Sequence, residues 1–280
     1  MPTDVLTQRN DISRTGANTQ ETSLTPSTID PAHFGKLFTR RVDGHIYAQP
    51  LYVSGLAIPG QGTHNVVYVA TMHNSVYAFD ADDPNASAPL WHVNLGPSFS
   101  TPPPPHIPPV DGSPEPWYKY SNIQVEIGIL STPAIDRSQN TIYVVPYIMS
   151  GPDPSYWLYA LDITNGSVKH KVQIQGTVPG TGVASAGGHV AFNSKNHSQR
   201  PGLLLMNGVV YIAFASFADI DDYHGWVFAY DATSLAQTGI YNVTPNGEAA
   251  GIWQAGHGPA GDANHNVYLL TGNGTFAPDG

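Results

Sequence analysis

The chain has 280 residues and a formal charge of −10, with 28 Gly, 25 Pro and 15 Tyr but only 11% charged residues. This balance suits many short strands joined by tight turns and argues against helical bundles, while the acidity makes nucleic acid and anionic membranes poor partners. With no cysteine, disulfides, thiolate metal sites and cysteine nucleophiles are excluded, and no apolar run reaches the roughly 18 residues that a membrane helix needs.

The opening Met1-Pro2-Thr3-Asp4 lacks a basic region followed by an apolar stretch and is not a signal peptide, which leaves a cytosolic protein or a signal carried elsewhere. Residues 1–33 are polar and read as an extended arm. Lys36 to Val42 reads as a short outer strand of the kind that completes the last blade of a ring, so residues 1–44 form an arm plus closing strand and residues 45–280 the repeat region.

An internal repeat organises that region. An apolar strand ending in Ala-x-Asp occurs as Ser75 to Asp80, Trp157 to Asp162 and Trp226 to Asp231. A Val-Tyr-like strand precedes each copy at Val67 to Ala70, Ile142 to Val145 and Val210 to Ala213, and a fourth, Val267 to Leu270, has no partner after it. First strands open at Pro50, Pro133, Pro201 and Pro259, separated by 83, 68 and 58 residues. Proline fits the first position of a strand, where no ladder bond is demanded. Outer strands are expected at Leu90 to Leu95, Val168 to Ile174 and Gly239 to Val243. Four antiparallel strands repeated about an axis make a β-propeller blade. The fold class is therefore all-β, a partial propeller of about three and a half four-stranded blades, the fourth incomplete.

Two long insertions separate the blades. Residues 97–128 hold Thr101-Pro102-Pro103-Pro104-Pro105, a polyproline-like surface stretch, and residues 175–199 are rich in Gly, Ala and Ser. The carboxylates of Asp80, Asp162 and Asp231 are expected to cap turn amides. Tyr77, Tyr159 and Phe228 are expected to pack the core. The 12 histidines show no zinc-type spacing, no Gly-x-Ser-x-Gly elbow occurs, and the Asn-x-Ser/Thr sites are no more than an Asn-rich chain produces.

The pattern Ala160-Leu161-Asp162-Ile163-Thr164-Asn165-Gly166 resembles the quinoprotein (PQQ-like) repeat, over roughly residues 45–280. Two stretches extend the resemblance to quinoprotein alcohol dehydrogenase-like proteins. Ala218-Asp219-Ile220-Asp221-Asp222-Tyr223-His224-Gly225 is similar to the loop that carries an acidic calcium ligand in that family, which implies Asp219 as a metal ligand, with Asp221 as its neighbour. Gly251-Ile252-Trp253, followed 20 residues later by Asn273 in Thr271-Gly272-Asn273-Gly274, is similar to the family's quinone-stacking Trp and Gly-Asn calcium ligand. The resemblance thus implies pyrroloquinoline quinone and Ca2+ as cofactors. Trp253 would lie against the quinone ring, Arg200 would meet the cofactor's carboxylates, and the substrate would be a small alcohol or sugar hydroxyl. It also implies a secreted or periplasmic setting.

Three departures from the family stand out. Glu is the family's usual acid where Asp219 stands, the family's vicinal disulfide has no counterpart, and its catalytic Asp lies beyond the Asn ligand, whereas this sequence ends seven residues after Asn273. The chain is expected to hold half a site and not to turn over alone. Read on their own residues, Asn273 is equally a tight-turn residue, Asp219-Asp221-Asp222 a solvated loop and Trp253 a packing residue. The alternative function is a non-catalytic propeller scaffold that binds a protein or glycan partner.

Overall fold

The computed structural model describes residues 3–32, 34–101 and 122–275. The polyproline-like stretch after Thr101 lies outside the described residues. All regular structure within them is β.

The first sheet runs β1 (Leu51–Ile58), β2 (Gly62–Ala70), β3 (Ser75–Asp80) and β4 (Trp91–Asn94), antiparallel and in that spatial order. Leu51, Val53, Leu56 and Ile58 of β1 are buried. The strand keeps this one apolar face because a register shift between Val53 and Leu56 absorbs an extra residue, with Gly55 at φ 56°. A hairpin, β5 (Phe99–Ser100) with β6 (Glu126–Ile127), follows.

The second sheet contains β7 (Ala134–Asp136), β8 (Thr141–Val144), β9 (Tyr147–Met149), β10 (Pro154–Asp162) and β11 (Val168–Gln173), ordered β7-β8-β10-β11 with β9 against the other half of β10. The insertion at 175–199 is partly structured. It contributes a hairpin of β12 (Thr177–Pro179) and β13 (His189–Ala191) and then β14 (His197–Ser198). In the third sheet β14 and β15 (Leu204–Met206) pair with opposite halves of β16 (Val209–Ser216), which continues to β17 (Trp226–Asp231) and β18 (Gln237–Asn242). A fourth sheet is begun by β19 (Ala260–Gly261) and β20 (Val267–Tyr268).

The core lies between adjacent sheets. One apolar cluster joins β1, β2 and β3 to β7, β8 and β10, and another joins the second sheet to the third around Tyr143, Tyr147, Tyr156, Phe214, Trp226 and Phe228. The repeated tyrosine has a specific job at these junctions. Tyr68 Oη donates to the Ile163 carbonyl at 2.9 Å, and the repeat-equivalent Tyr143 Oη donates to the Ala232 carbonyl at 2.7 Å. Each acceptor directly follows the Ala-x-Asp aspartate of the next sheet. The aspartates themselves bind the turn amides as expected: Asp80 those of Asp82 and Asp83, Asp162 that of Thr164, and Asp231 those of Thr233 and Ser234.

Two parts of the N-terminal region differ from expectation. Residues 4–16 are not a free arm but a strap across the first strands of all four sheets. Val5 and Tyr52 exchange backbone bonds at 2.8 and 2.9 Å, Ile135 N donates to Leu6 O at 2.8 Å, and Gly261 N donates to Ile12 O at 2.8 Å. At the third sheet the buried Arg14 guanidinium donates to the carbonyls of Leu203, Pro259 and Gln8 at 2.9, 3.0 and 2.8 Å and to Thr7 Oγ1 at 2.7 Å. The strap's polar composition supplies donors that inner-edge carbonyls otherwise lack. Burial pulls Arg14 down to about 10, which leaves it charged at neutral pH.

Lys36 to Val42, expected as an outer strand, pairs with no strand among the described residues. It runs along the outside of the first sheet, where Val42 packs on Val69, Tyr77 and Phe79 and Arg40 donates to the Asp83 carbonyl. It lies against that sheet without entering its β1-β2-β3-β4 order.

Candidate functional site

The loop between β16 and β17 is built on two buried anchors, Phe217 and Ile220, with Tyr223 buried behind it. Between them Ala218, Asp219 and Asp221 take left-handed φ values of 59°, 57° and 58°. Non-glycine residues adopt this conformation at a cost, and such outliers gather where surrounding structure enforces a particular presentation. Here the enforcement is explicit. Asp219 N donates to Ser216 Oγ at 2.8 Å, and Tyr223 Oη donates to Asp219 Oδ1. The Tyr223 phenol is pushed well above its ordinary pKa, first by burial and then by its bond to the Asp219 carboxylate, so it keeps its proton.

Asn273 reaches the same carboxylate from the fourth sheet. Its Nδ2 lies 3.2 and 3.0 Å from Asp219 Oδ1 and Oδ2. The backbone that carries it is held by the Gly251–Gly272 bridge, in which Gly272 N donates to Gly251 O at 3.0 Å. Asn273 itself has φ 62°, a conformation Asn tolerates better than most residues.

Trp253 lies next to this pair and is partly buried. Its indole rests on Gly251, where a Cβ would come within 3.0 Å of Cε2 and Nε1. Its Nε1 donates to Gly272 O at 3.4 Å, and Tyr223 meets it edge-on at 6.0 Å and 80°. The Arg200 guanidinium sits 5.4 Å from the Trp253 ring centre, within cation–π range. Arg200 is not within a strand but directly precedes Pro201, which bridges Ala255. All four sequence-predicted residues thus fall in one chain of contacts, Asn273–Asp219–Tyr223–Trp253–Arg200. Sequence reasoning missed Tyr223, although it stands inside the acidic loop motif.

Two clefts adjoin at Ala218–Asp219. One, of about 330 Å³, is lined by Tyr47, Ile123, Leu130, Arg200, Ala218 and Gly256 among others. The other, of about 300 Å³, gathers Asp219, Asp221, Asp222, Glu248 and Asn273 beside Tyr223. In donor type, a carboxylate and an amide oxygen suit a hard cation, and turning the Asn273 amide over puts Oδ1 where Nδ2 now stands. In donor number the pair falls short of the roughly six to eight oxygens calcium takes. Among the described residues no three His, Cys, Asp or Glu side chains converge as a metal cluster. Further oxygens would have to come from a bound ligand or water. The Arg200 charge suits an anionic ligand, whereas Trp253 lines neither cleft, its indole resting on Gly251 with Arg200 over the ring.

No protein-family model and no curated protein matches the chain. Among solved structures it is similar to a quinohemoprotein alcohol dehydrogenase of Pseudomonas putida HK5, at 16% identity and a TM-score of 0.56, over 98% of this chain and 35% of that one. It is also similar to the quinohemoprotein alcohol dehydrogenase of Comamonas testosteroni, at 14% identity and a TM-score of 0.52, over 97% of this chain and 36% of that one. The chain spans about a third of the length of these structures. The likeness is one of fold, the β-propeller of the quinoprotein type.

Proposed function

We propose that the chain is a quinoprotein-like propeller segment that binds pyrroloquinoline quinone and calcium at the adjoining clefts and serves the oxidation of an alcohol or sugar hydroxyl, outside the cytoplasm. The observation that carries the reading is the convergence of Asp219 and Asn273 on one point, with Trp253 and Arg200 in line beside it. Fold likeness to quinohemoprotein alcohol dehydrogenases supports it.

In this reading Trp253 offers its ring to the cofactor plane, and Arg200 offers a permanent charge to a cofactor carboxylate. Asp219 and the turned Asn273 amide supply oxygens to calcium. Tyr223, proton retained, fixes the Asp219 carboxylate through Oδ1 and leaves Oδ2 free of the phenol. Asp221, Asp222 and Glu248 add negative potential that draws a cation to the mouth. When bound, the quinone with its metal supplies the two-electron acceptor.

One observation favours the second reading, a non-catalytic propeller that binds a protein or glycan. Among the described residues that line the larger cleft there is no carboxylate or histidine, so these residues offer no general base there. Calorimetry with pyrroloquinoline quinone and calcium separates the two. Saturable, calcium-dependent binding that is lost in Asp219→Ala supports the first reading; no binding by the parent chain leaves the scaffold reading.

A further inference from the structure

We infer that Arg9, carried by the N-terminal strap, is a second cationic residue of the larger cleft, and that Arg9 and Arg200 together form a subsite for the carboxylates of a flat aromatic polycarboxylate. This rests on the reading that the cleft holds such a ligand.

Arg9 is fixed at two places on the cleft's border. Its backbone N donates to Gln49 Oε1 at 3.1 Å, two residues along from the cleft-lining Tyr47. Its Nε donates to the carbonyl of Gly256 at 3.2 Å, and Gly256 lines the cleft as well. The Pro201–Ala255 bridge is antiparallel, so Arg200 and Gly256 lie beside one another on the next rung. Arg9 and Arg200 therefore flank the same glycine.

Neither guanidinium has an ion pair among the described residues, in a chain with 11 Lys and Arg against 21 Asp and Glu. Arg137, Lys169 and Lys195 each find a carboxylate, at 3.9, 3.5 and 3.1 Å. Arg200 turns instead to the Trp253 ring, and Arg9 spends only Nε on a carbonyl, leaving both terminal nitrogens without a partner among the described residues. Lys36, Arg41 and Lys171 have no ion pair among the described residues either; what sets Arg9 and Arg200 apart is their place at one cleft, a charge arrangement that suits an anionic ligand.

Arg9 is also held in a strained, defined pose. It has φ 61°, which an arginine adopts at a cost, and its carbonyl accepts from Gly16 N at 3.0 Å. The strap that presents it is locked by the four bonds of the buried Arg14 guanidinium. Such fixing removes the entropy that a free arginine would lose on binding.

The test titrates pyrroloquinoline quinone and its trimethyl ester, with calcium present, against the parent chain, Arg9→Gln, Arg9→Lys and Arg200→Gln, with melting temperature as a fold check. Gln keeps a donor for Gly256 and removes the charge. The expected result is that Arg9→Gln weakens the triacid about tenfold, leaves the ester unchanged, and is largely rescued by Lys. If Arg9→Gln binds the triacid like the parent while Arg200→Gln loses it, the role of Arg9 is overturned and the cleft reading stands. Equal loss of triacid and ester in Arg9→Gln also overturns it, because the effect is then on cleft shape. If the parent binds neither compound, the cleft reading fails and this inference with it.

Discussion

The Asn273 side chain touches both carboxylate oxygens of Asp219, at 3.2 and 3.0 Å, across 54 residues of chain. One residue sits on a loop of the third sheet and the other just after β20 of the fourth, so the contact ties these two sheets together. If the pair holds a cation, each member is a ligand. Asn273→Ala and Asp219→Asn should each weaken calcium-dependent quinone binding by about tenfold or more, since even supporting residues of metal sites cost about 10–100-fold. Unchanged binding in Asn273→Ala would reduce Asn273 to a turn residue.

The inter-sheet tyrosines make a sharper stability test. The Ile163 carbonyl accepts from both Tyr68 Oη and Trp91 Nε1, each at 2.9 Å, whereas the buried Ala232 carbonyl has Tyr143 Oη. Tyr143→Phe should therefore strand a buried acceptor and cost about 1–3 kcal/mol, while Tyr68→Phe should cost about 0.5–1.5 kcal/mol. Denaturant unfolding of the two variants decides it; equal losses would count against the accounting.

Arg14 holds the strap. Arg14→Ala would leave the carbonyls of Leu203, Pro259 and Gln8 without this donor, and a loss of about 3 kcal/mol or more is expected. Arg14→Lys should not rescue it, because one ammonium cannot reach the acceptors a planar guanidinium spans. Hydrogen exchange should rise first around residues 201–206 and 258–262. Protection unchanged there would mean that the strap is dispensable.

His197 predicts an acid-dependent step. It is fully buried, Nε2 accepts from His224 N and Trp226 Nε1 at 3.1 Å each, and burial lowers its pKa to about 4. The folded state binds this proton less readily than the unfolded chain, whose histidine titrates near 6.5. Its contribution is thus complete above about pH 6.5 and is lost as pH falls towards 4, by on the order of 3 kcal/mol at most. His197→Gln should be less stable at neutral pH and should lack this part of the acid slope. A parent and variant with parallel stability curves between pH 4 and 6.5 would refute the assignment.

Much of this molecule was legible in the chain. Strand identity followed from period and repeat, because an apolar, β-branched and aromatic run that recurs in one register buries the same faces each time. Asp80, Asp162 and Asp231 cap their turns because a carboxylate bonds amides two or three residues on, a local event. The grouping of Asp219, Trp253 and Asn273 was implied by the resemblance to quinoprotein dehydrogenases, not by their spacing, and the structure brings the three into one chain of contacts.

What the residues alone did not decide was set by contacts distant in sequence. Residues 1–33 read as a polar, extended arm, but polarity describes equally a solvated arm and a strap that feeds donors to inner strands; for residues 4–16 only the contacts with the carbonyls of Tyr52, Leu203 and Pro259 choose between them. Lys36 to Val42 has strand composition, yet a strand exists only where a partner edge supplies ladder bonds, and this segment meets the first sheet through side chains, Val42 on Val69, Tyr77 and Phe79, rather than through its backbone. Tyr223 and Arg9 acquire their roles in the same way. By itself the sequence determined local conformation and which faces are apolar, because both depend on neighbours a few residues away. The tertiary structure decided which polar groups meet, because the packing of strap and sheets brings Arg9 to Gly256 and Asn273 to Asp219.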